Sequence, residues 1–169
     1  DKVVWADYRN TSEDIYGRDF SSGKEYAVCN VAGEQYDAVV DGDVVAWTDT
    51  WGRSKDIYGY RFSTGLEFPI CTSAADQRRP EVSGGIVVWE DHRKGNWDIY
   101  GYDLFTGEEF VICDDPWDQL APAIDGDLVV WMDNRNGNWD IYGAAIPEPA
   151  TLSMLALGGL AVIRGRRRQ

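Results

Sequence analysis

The sequence predicts an all-β fold, a β-propeller of four-stranded blades, and two observations carry that prediction. The first is a 42-residue repeat that runs without a gap. Trp5, Trp47, Trp89 and Trp131 keep this step, as do Asp7, Asp49, Asp91 and Asp133. Asp-Ile-Tyr-Gly returns at Asp14, Asp56, Asp98 and Asp140. Cys29, Cys71 and Cys113 obey the same spacing, with Gln35, Gln77 and Gln119 and with Gly42, Gly84 and Gly126. The second observation is the make-up of the apolar runs. Val44-Val45-Ala46-Trp47, Ile86-Val87-Val88-Trp89 and Leu128-Val129-Val130-Trp131 are β-branched and aromatic, and Gly and Asp turn residues bound them. A period near 42 fits either a propeller blade or a helical pair. The body shows no helical apolar period, which selects the blade.

The units start near residues 1, 43, 85 and 127. In the third, Glu81–Ser83 is read as a short inner strand and Ile86–Asp91 as the second. Asp98–Leu104 forms the third strand, ending in the turn Thr106-Gly107, and Glu109–Cys113 forms the fourth. An apolar run without alternation belongs to a sheet covered on both faces, as every blade between two neighbours is. Arg93-Lys94-Gly95-Asn96 and Arg135-Asn136-Gly137-Asn138 read as hairpin links between strands two and three. The first unit lacks an inner strand and the last stops after its third, so residues 1–146 hold about three and a half blades. The chain opens inside a strand, Val3-Val4-Trp5, with no starting Met and no signal peptide. A longer parent with the closing strand and further blades is therefore expected; pairing of two chains is the alternative.

Charge excludes some partners. The 169 residues carry 29 acidic and 16 basic side chains, a net −13. Every acidic residue precedes Ala150, while four of the basic ones are arginines in the last six positions. So acidic a body is a poor partner for nucleic acid and for anionic membrane surfaces. A single histidine, His92, disfavours His-rich zinc sites.

The run from Pro122 to Tyr142, with Asp125-Gly126, Leu128–Trp131, Arg135-Asn136-Gly137 and Asp140-Ile141-Tyr142, resembles the repeat of TolB-type β-propellers. Tyr102-Asp103-Leu104 and Thr106-Gly107 fit the same pattern, and the resemblance covers residues 1–146. The second unit departs from it at Trp51-Gly52, which replaces Arg-Asn. The missing Gly-His element argues against a WD repeat.

At the other end Pro147-Glu148-Pro149 precedes the apolar run 150–163 and a cluster of Arg164, Arg166, Arg167 and Arg168. As a helix the run would span about 21 Å, short of a hydrocarbon core of about 30 Å unless the bilayer thins and the arginines snorkel. The arginines place its end in the cytoplasm and the acidic body outside. These three parts in order resemble a PEP-CTERM sorting signal over residues 147–169. The resemblance implies an exosortase-type processing enzyme as partner and cleavage near Pro147–Pro149. It further implies release or attachment at the bacterial surface and a link to exopolysaccharide. A plain C-terminal membrane anchor is the simpler alternative.

Most chemistry-bearing residues of the body also fit plainer structural roles. The three cysteines follow apolar residues at equivalent positions of successive blades, which favours small buried thiols over disulfides. Asp91–Asp98 and Asp133–Asp140 are rich in oxygen ligands, but Arg93 and Arg135 stand at their third positions. A hairpin with the arginine paired to Asp98 or Asp140 is expected there rather than calcium. Acids at Asp7, Asp49, Asp91 and Asp133 recur once per blade, which suits turn capping better than glycoside hydrolysis. His92 reads as an exposed turn residue. Trp51, Trp97, Trp117 and Trp139 could stack on sugar rings or anchor a partner; covering the gap between blades is the commoner role. No catalytic residue, metal or cofactor is expected. The expected function is an exported cell-surface or matrix module, binding exopolysaccharide or another surface protein. The alternative is the non-catalytic propeller of a surface hydrolase or polysaccharide lyase.

Overall fold

A computed structural model describes residues 1–146 and the backbone of residues 162–163. These residues form strands and turns only, in four sheets of antiparallel strands. Two compact units divide the chain, Asp1–Val82 and Ser83–Gln169.

In the first unit, β1 (Lys2–Asp7), β2 (Asp14–Asp19) and β3 (Glu25–Cys29) make a three-stranded sheet. It lacks an inner strand, as expected. A four-stranded sheet follows in sequence order: β4 (Gln35–Asp41), β5 (Val44–Asp49), β6 (Asp56–Arg61) and β7 (Leu66–Cys71). The boundary between the units falls inside β8 (Gln77–Ser83). In the second unit β9 (Ile86–Asp91), β10 (Asp98–Asp103) and β11 (Glu108–Cys113) are joined by hairpins. The last sheet holds β12 (Gln119–Asp125), β13 (Leu128–Asp133) and β14 (Asp140–Ala145).

Two details differ from the sequence reading. The inner strand expected at Glu81–Ser83 begins four residues earlier, at Gln77. The register of β4 with β5 and of β12 with β13 breaks just there, between Tyr36 and Val39 and between Leu120 and Ala123. Asp37 and Ala121 sit in these bulges with φ of 54° and 51°, and Arg79, at the equivalent position of β8, has a φ of 53°. A bulge interrupts the alternation of period two, which hides the first half of the strand from pattern reading. The last sheet also does not stop at its third strand, because Val162–Ile163 pair with Ala144 and Gly143 as β15. The rest of the apolar helix expected over 150–163 lies outside the described residues. Among the described residues, no helix is long and apolar enough to cross a membrane.

The repeat works as a packing code. In every sheet the repeated Trp faces the Tyr of the next strand across the ladder: Trp5 with Tyr16, Trp47 with Tyr58, Trp89 with Tyr100, Trp131 with Tyr142. Cross-strand aromatic pairs of this kind stabilise a sheet. Trp47, Trp89 and Trp131 are at most 1% exposed. In the first unit Ile15, Val28 and Cys29 of the first sheet pack on Val45 and Trp47 of the second. In the second unit Ile86, Val88, Ile99 and Ile112 of the third sheet pack on Val129, Trp131, Tyr142 and Ala144 of the last. Equivalent positions build both interfaces.

Backbone links lock neighbouring sheets within each unit. Gln35 donates its N–H to the Glu13 carbonyl at 2.7 Å, Gln77 to Lys55 at 2.7 Å and Gln119 to Trp97 at 2.6 Å. All three glutamines are fully buried. The bulges are held as well. Thr48 Oγ1 accepts the Arg79 N–H at 3.2 Å, and the buried Glu90 carboxylate accepts the Ala121 N–H at 2.8 Å.

The glycine of Asp-Ile-Tyr-Gly has a steric cause. A Cβ on Gly101 would lie 2.6 Å from the Phe110 ring, and one on Gly59 2.7 Å from Phe68. Gly101→Ala is expected to destabilise the fold by about 1–3 kcal/mol through overpacking. Urea denaturation checks this; removing the obstructing ring as well, in Gly101→Ala/Phe110→Leu, is expected to restore part of the loss.

Candidate functional site

The chemistry-bearing side chains gather at the hairpin between the second and third strands. There the Trp-x-Asp pair forms a repeated hydrogen-bonded unit. The indole N–H of Trp5, Trp47, Trp89 and Trp131 donates to the carboxylate two residues on, at 3.1, 3.4, 3.0 and 3.2 Å. The other carboxylate oxygen accepts the N–H of the residue two further along, Arg9, Trp51, Arg93 or Arg135, at 2.7–2.9 Å. These are Asx turns, and the four acids cap the hairpins.

The arginines complete the unit differently from the sequence expectation. Arg93 pairs with Asp91 at 2.6 Å and with Glu109 at 2.5 Å, and Arg135 pairs with Asp133. Asp98 instead accepts from Asn96 Nδ2 at 2.7 Å, so pairing with Asp98 or Asp140 is corrected to Asp91 and Asp133. The turn folds the arginine back over its own strand end, where the guanidinium also lies on a tyrosine face. Arg9 covers Tyr16 at 3.9 Å, Arg93 covers Tyr100 at 4.2 Å and Arg135 covers Tyr142 at 4.2 Å. Such cation–π contacts strengthen as water is excluded. The signal was present in the sequence, because Arg9, Arg93 and Arg135 recur in step with the tyrosines.

One place in the described residues gathers metal-type ligands. Cys113, Asp115 and Asp133 bring their ligand atoms within 4.8 Å of one another. The Arg135 guanidinium lies among them, paired to both carboxylates and 3.1 Å from the Cys113 sulfur. Arg9 and Arg93 each reach a glutamate on the last strand of their own sheet, Glu25 on β3 and Glu109 on β11. Arg135 turns to Asp115 and Cys113 of the preceding sheet. Burial alone would raise the Asp133 carboxyl; hydrogen bonds from Arg135 and Trp131 outweigh it and hold the group below its ordinary range. A guanidinium in this position supplies the positive charge that the acids require.

Cys29, Cys71 and Cys113 are buried and none of them is in a disulfide. Burial pushes Cys29 up to about 12 and Cys113 up to about 11, away from the thiolate that reacts. Cys29 and Cys113 are therefore expected to resist a thiol reagent such as DTNB at pH 8 and to react fully in denaturant. Fast labelling of the folded chain would contradict this.

Asp98 titrates in the opposite sense to Asp133. It is fully buried, and burial raises its carboxyl to about 6 despite the Asn96 hydrogen bond. The folded state then holds the proton more tightly than the unfolded chain. Its contribution is favourable at low pH and is lost as pH rises from about 4 towards 6. Asp98→Asn is expected to stabilise the protein at pH 7, and the gain should vanish below pH 4. Urea midpoints across this range check both.

Exposure sorts the tryptophans. Trp51 is 69% exposed and Trp117 is 58% exposed, whereas Trp97 is half-buried with its ring 4.8 Å from that of His92. Trp139 is 44% exposed. Trp97 thus packs within its own hairpin, and Trp51, Trp117 and Trp139 are the more exposed rings. Pro147, Glu148, Pro149, Arg164, Arg166, Arg167 and Arg168 lie outside the described residues.

The four sheets and their 42-residue code define a repeat protein of the β-propeller class. Residues 145–168 match the PEP-CTERM protein-sorting motif. Among solved structures the chain is similar to TolB from Acinetobacter baumannii, with a TM-score of 0.64 and 18% identity over 95% of this chain and 40% of that one. It is also similar to a puromycin-hydrolyzing peptidase of Mycobacterium tuberculosis, with a TM-score of 0.67 and 10% identity over 96% and 27%. A third likeness is to an oligogalacturonate lyase in complex with manganese, with a TM-score of 0.64 and 12% identity over 85% and 46%. The chain spans less than half of each of these proteins, and at these identities the likeness is one of fold. No curated protein matches the chain.

Proposed function

We propose that this chain is a binding or scaffold module of the bacterial cell surface, delivered there by its C-terminal signal. The sorting motif carries the reading: it implies an exported protein of the cell envelope that an exosortase processes. Residues 1–146 form the propeller part and 147–169 the signal, with the apolar run 150–163 holding the precursor in the membrane until cleavage near Pro147–Pro149. The arginine cluster keeps the C-terminus cytoplasmic. The exposed Trp51 and Trp117 rings, on a chain of net −13, suit a partner recognised by stacking rather than by phosphate charge, such as a neutral polysaccharide.

A test acts on the signal alone. Pro147→Ala/Pro149→Ala, or replacement of Arg164, Arg166, Arg167 and Arg168 by serine, is expected to leave unprocessed chain in the membrane fraction of the native host. Normal surface delivery of both variants would overturn the proposal. A second reading rests on the likeness to a peptidase and a lyase: a propeller part of a surface hydrolase or lyase. A nucleophile elbow encoded upstream would favour it, and further 42-residue units would favour the binding module.

A further inference from the structure

Two side-chain oxygens of the second unit, Asp98 Oδ2 and Gln119 Oε1, are buried and have no hydrogen-bond partner among the described residues. Both residues are fully buried. A buried polar atom left unpaired costs stability and calls for an account. Each of these oxygens shares its carbon with an atom already bonded into one small group. Asp98 Oδ1 accepts from Asn96 Nδ2 at 2.7 Å, and the same nitrogen lies 3.0 Å from the carbonyl oxygens of Asp115 and of Trp117. Gln119 Nε2 donates to those two carbonyls as well. Asn96 Nδ2 thus faces more acceptors than it has hydrogens. The frame around the group is rigid. Trp97 donates its N–H to Asp118 Oδ1 at 3.0 Å and accepts the Gln119 N–H at 2.6 Å, which clamps the β11–β12 loop to the hairpin.

We propose that this group is a calcium site, with the Asp98 carboxylate, the Asp115 and Trp117 carbonyls and the amide oxygens of Asn96 and Gln119 as ligands. A half-turn of each terminal amide exchanges its nitrogen for its oxygen. The two amides that bind the carbonyls as donors then become ligands beside them, and every protein ligand is oxygen. Water completes the six to eight ligands that calcium takes. Oxygen without thiol or imidazole suits calcium better than zinc, and ligation by carbonyls suits it better than magnesium, which keeps several waters. The charge balance points the same way. Neither neighbouring base is bonded to Asp98: Lys94 pairs with Asp114 at 2.6 Å and Arg93 with Asp91 at 2.6 Å. The Cys113–Asp115–Asp133 cluster differs, because Arg135 already supplies its positive charge. Sequence spacing argued against calcium within Asp91–Asp98 because Arg93 stands there; the fold turns Arg93 onto Asp91 and leaves Asp98 to the next loop. A related frame stands 42 residues earlier, where Gln77 Nε2 donates to the Ala75 carbonyl at 2.6 Å and Gln77 Oε1 has no partner. There Ser54 replaces the amide and Asp56 is only half-buried, so the third sheet holds the fuller set. A single carboxylate makes the site weak, with an expected Kd of about 0.1–1 mM, the range of extracellular calcium modules. This inference does not depend on how the chain is sorted.

The experiment is equilibrium dialysis of the full chain, in nonionic detergent, against radiolabelled calcium up to about 5 mM, several times the expected Kd. Wild type is expected to bind one calcium more than Asp98→Asn, whose affinity at this site should fall by at least about tenfold. Asp98→Asn is isosteric and, in a chelator, is the more stable chain as set out above; far-UV circular dichroism confirms that it is folded. Asp125→Asn removes the same charge from an exposed position of β12 and should keep the bound calcium. Asn96→Asp adds a carboxylate to the ligands and should tighten binding by at least about tenfold, whereas an amide that only cross-links the loop would give no gain. Equal binding by wild type and Asp98→Asn would overturn the proposal and assign any calcium to surface acids. Loss of binding in Asp125→Asn, or no gain in Asn96→Asp, would also overturn it. Displacement of the calcium by an equal concentration of magnesium would overturn the choice of metal.

Discussion

Trp89→Ala is expected to cost about 3–5 kcal/mol, the largest loss of any single substitution in the second unit. The ring is fully buried, faces Tyr100 at 6.4 Å and donates to Asp91 at 3.0 Å. Alanine would remove the ring's apolar contacts and leave a cavity that a close-packed sheet stack fills poorly. It would also leave a buried carboxylate oxygen with one donor fewer. Small domains are stable by only about 5–15 kcal/mol, so the variant should melt far below the wild type or fail to accumulate. Trp117→Ala is the control. Its ring is 58% exposed, and a change within about 0.5 kcal/mol is expected. Urea unfolding followed by far-UV circular dichroism distinguishes the two; equal losses would remove the packing role assigned to the repeated tryptophan.

Asp91→Ala is expected to be nearly as damaging. The carboxylate is fully buried and receives the Trp89 indole, the Arg93 N–H and the Arg93 guanidinium. Removing one partner of a buried pair costs about 3–5 kcal/mol. The cost here should fall towards the lower end, because Arg93 is partly exposed and keeps Glu109. Asp91→Asn preserves an acceptor for the turn and should lose less. In the double variant Asp91→Ala/Arg93→Met the two losses should not add, since neither charge is then left alone. Additive losses would show that the pair is not a coupled unit.

The strands were legible because their cause is local and repeated four times. Val44–Trp47 and its counterparts are β-branched runs between turn residues, and the step of 42 aligned them. The role of Asp91 and Asp133 as turn caps was legible for the same reason. The partner of Arg93 was not, because Asp91 and Asp98 face each other across the hairpin. Spacing cannot tell which one the folded-back guanidinium meets; the turn geometry decides it. The start of β8 at Gln77 was hidden by Arg79, whose positive φ breaks the alternation. The exposure of Ile141 could not be read from residue type either. Ile141 is the same residue as Ile15, Ile57 and Ile99, and only the neighbour differs.

The sorting signal was legible from order alone, and the whole functional account leans on it. Intact mass of the protein recovered from its native host tests it most directly. The account predicts a chain that ends near Pro147–Pro149, with any added mass on that new terminus marking attachment. A chain that still ends at Gln169 would contradict it and leave a propeller tethered by an uncleaved tail.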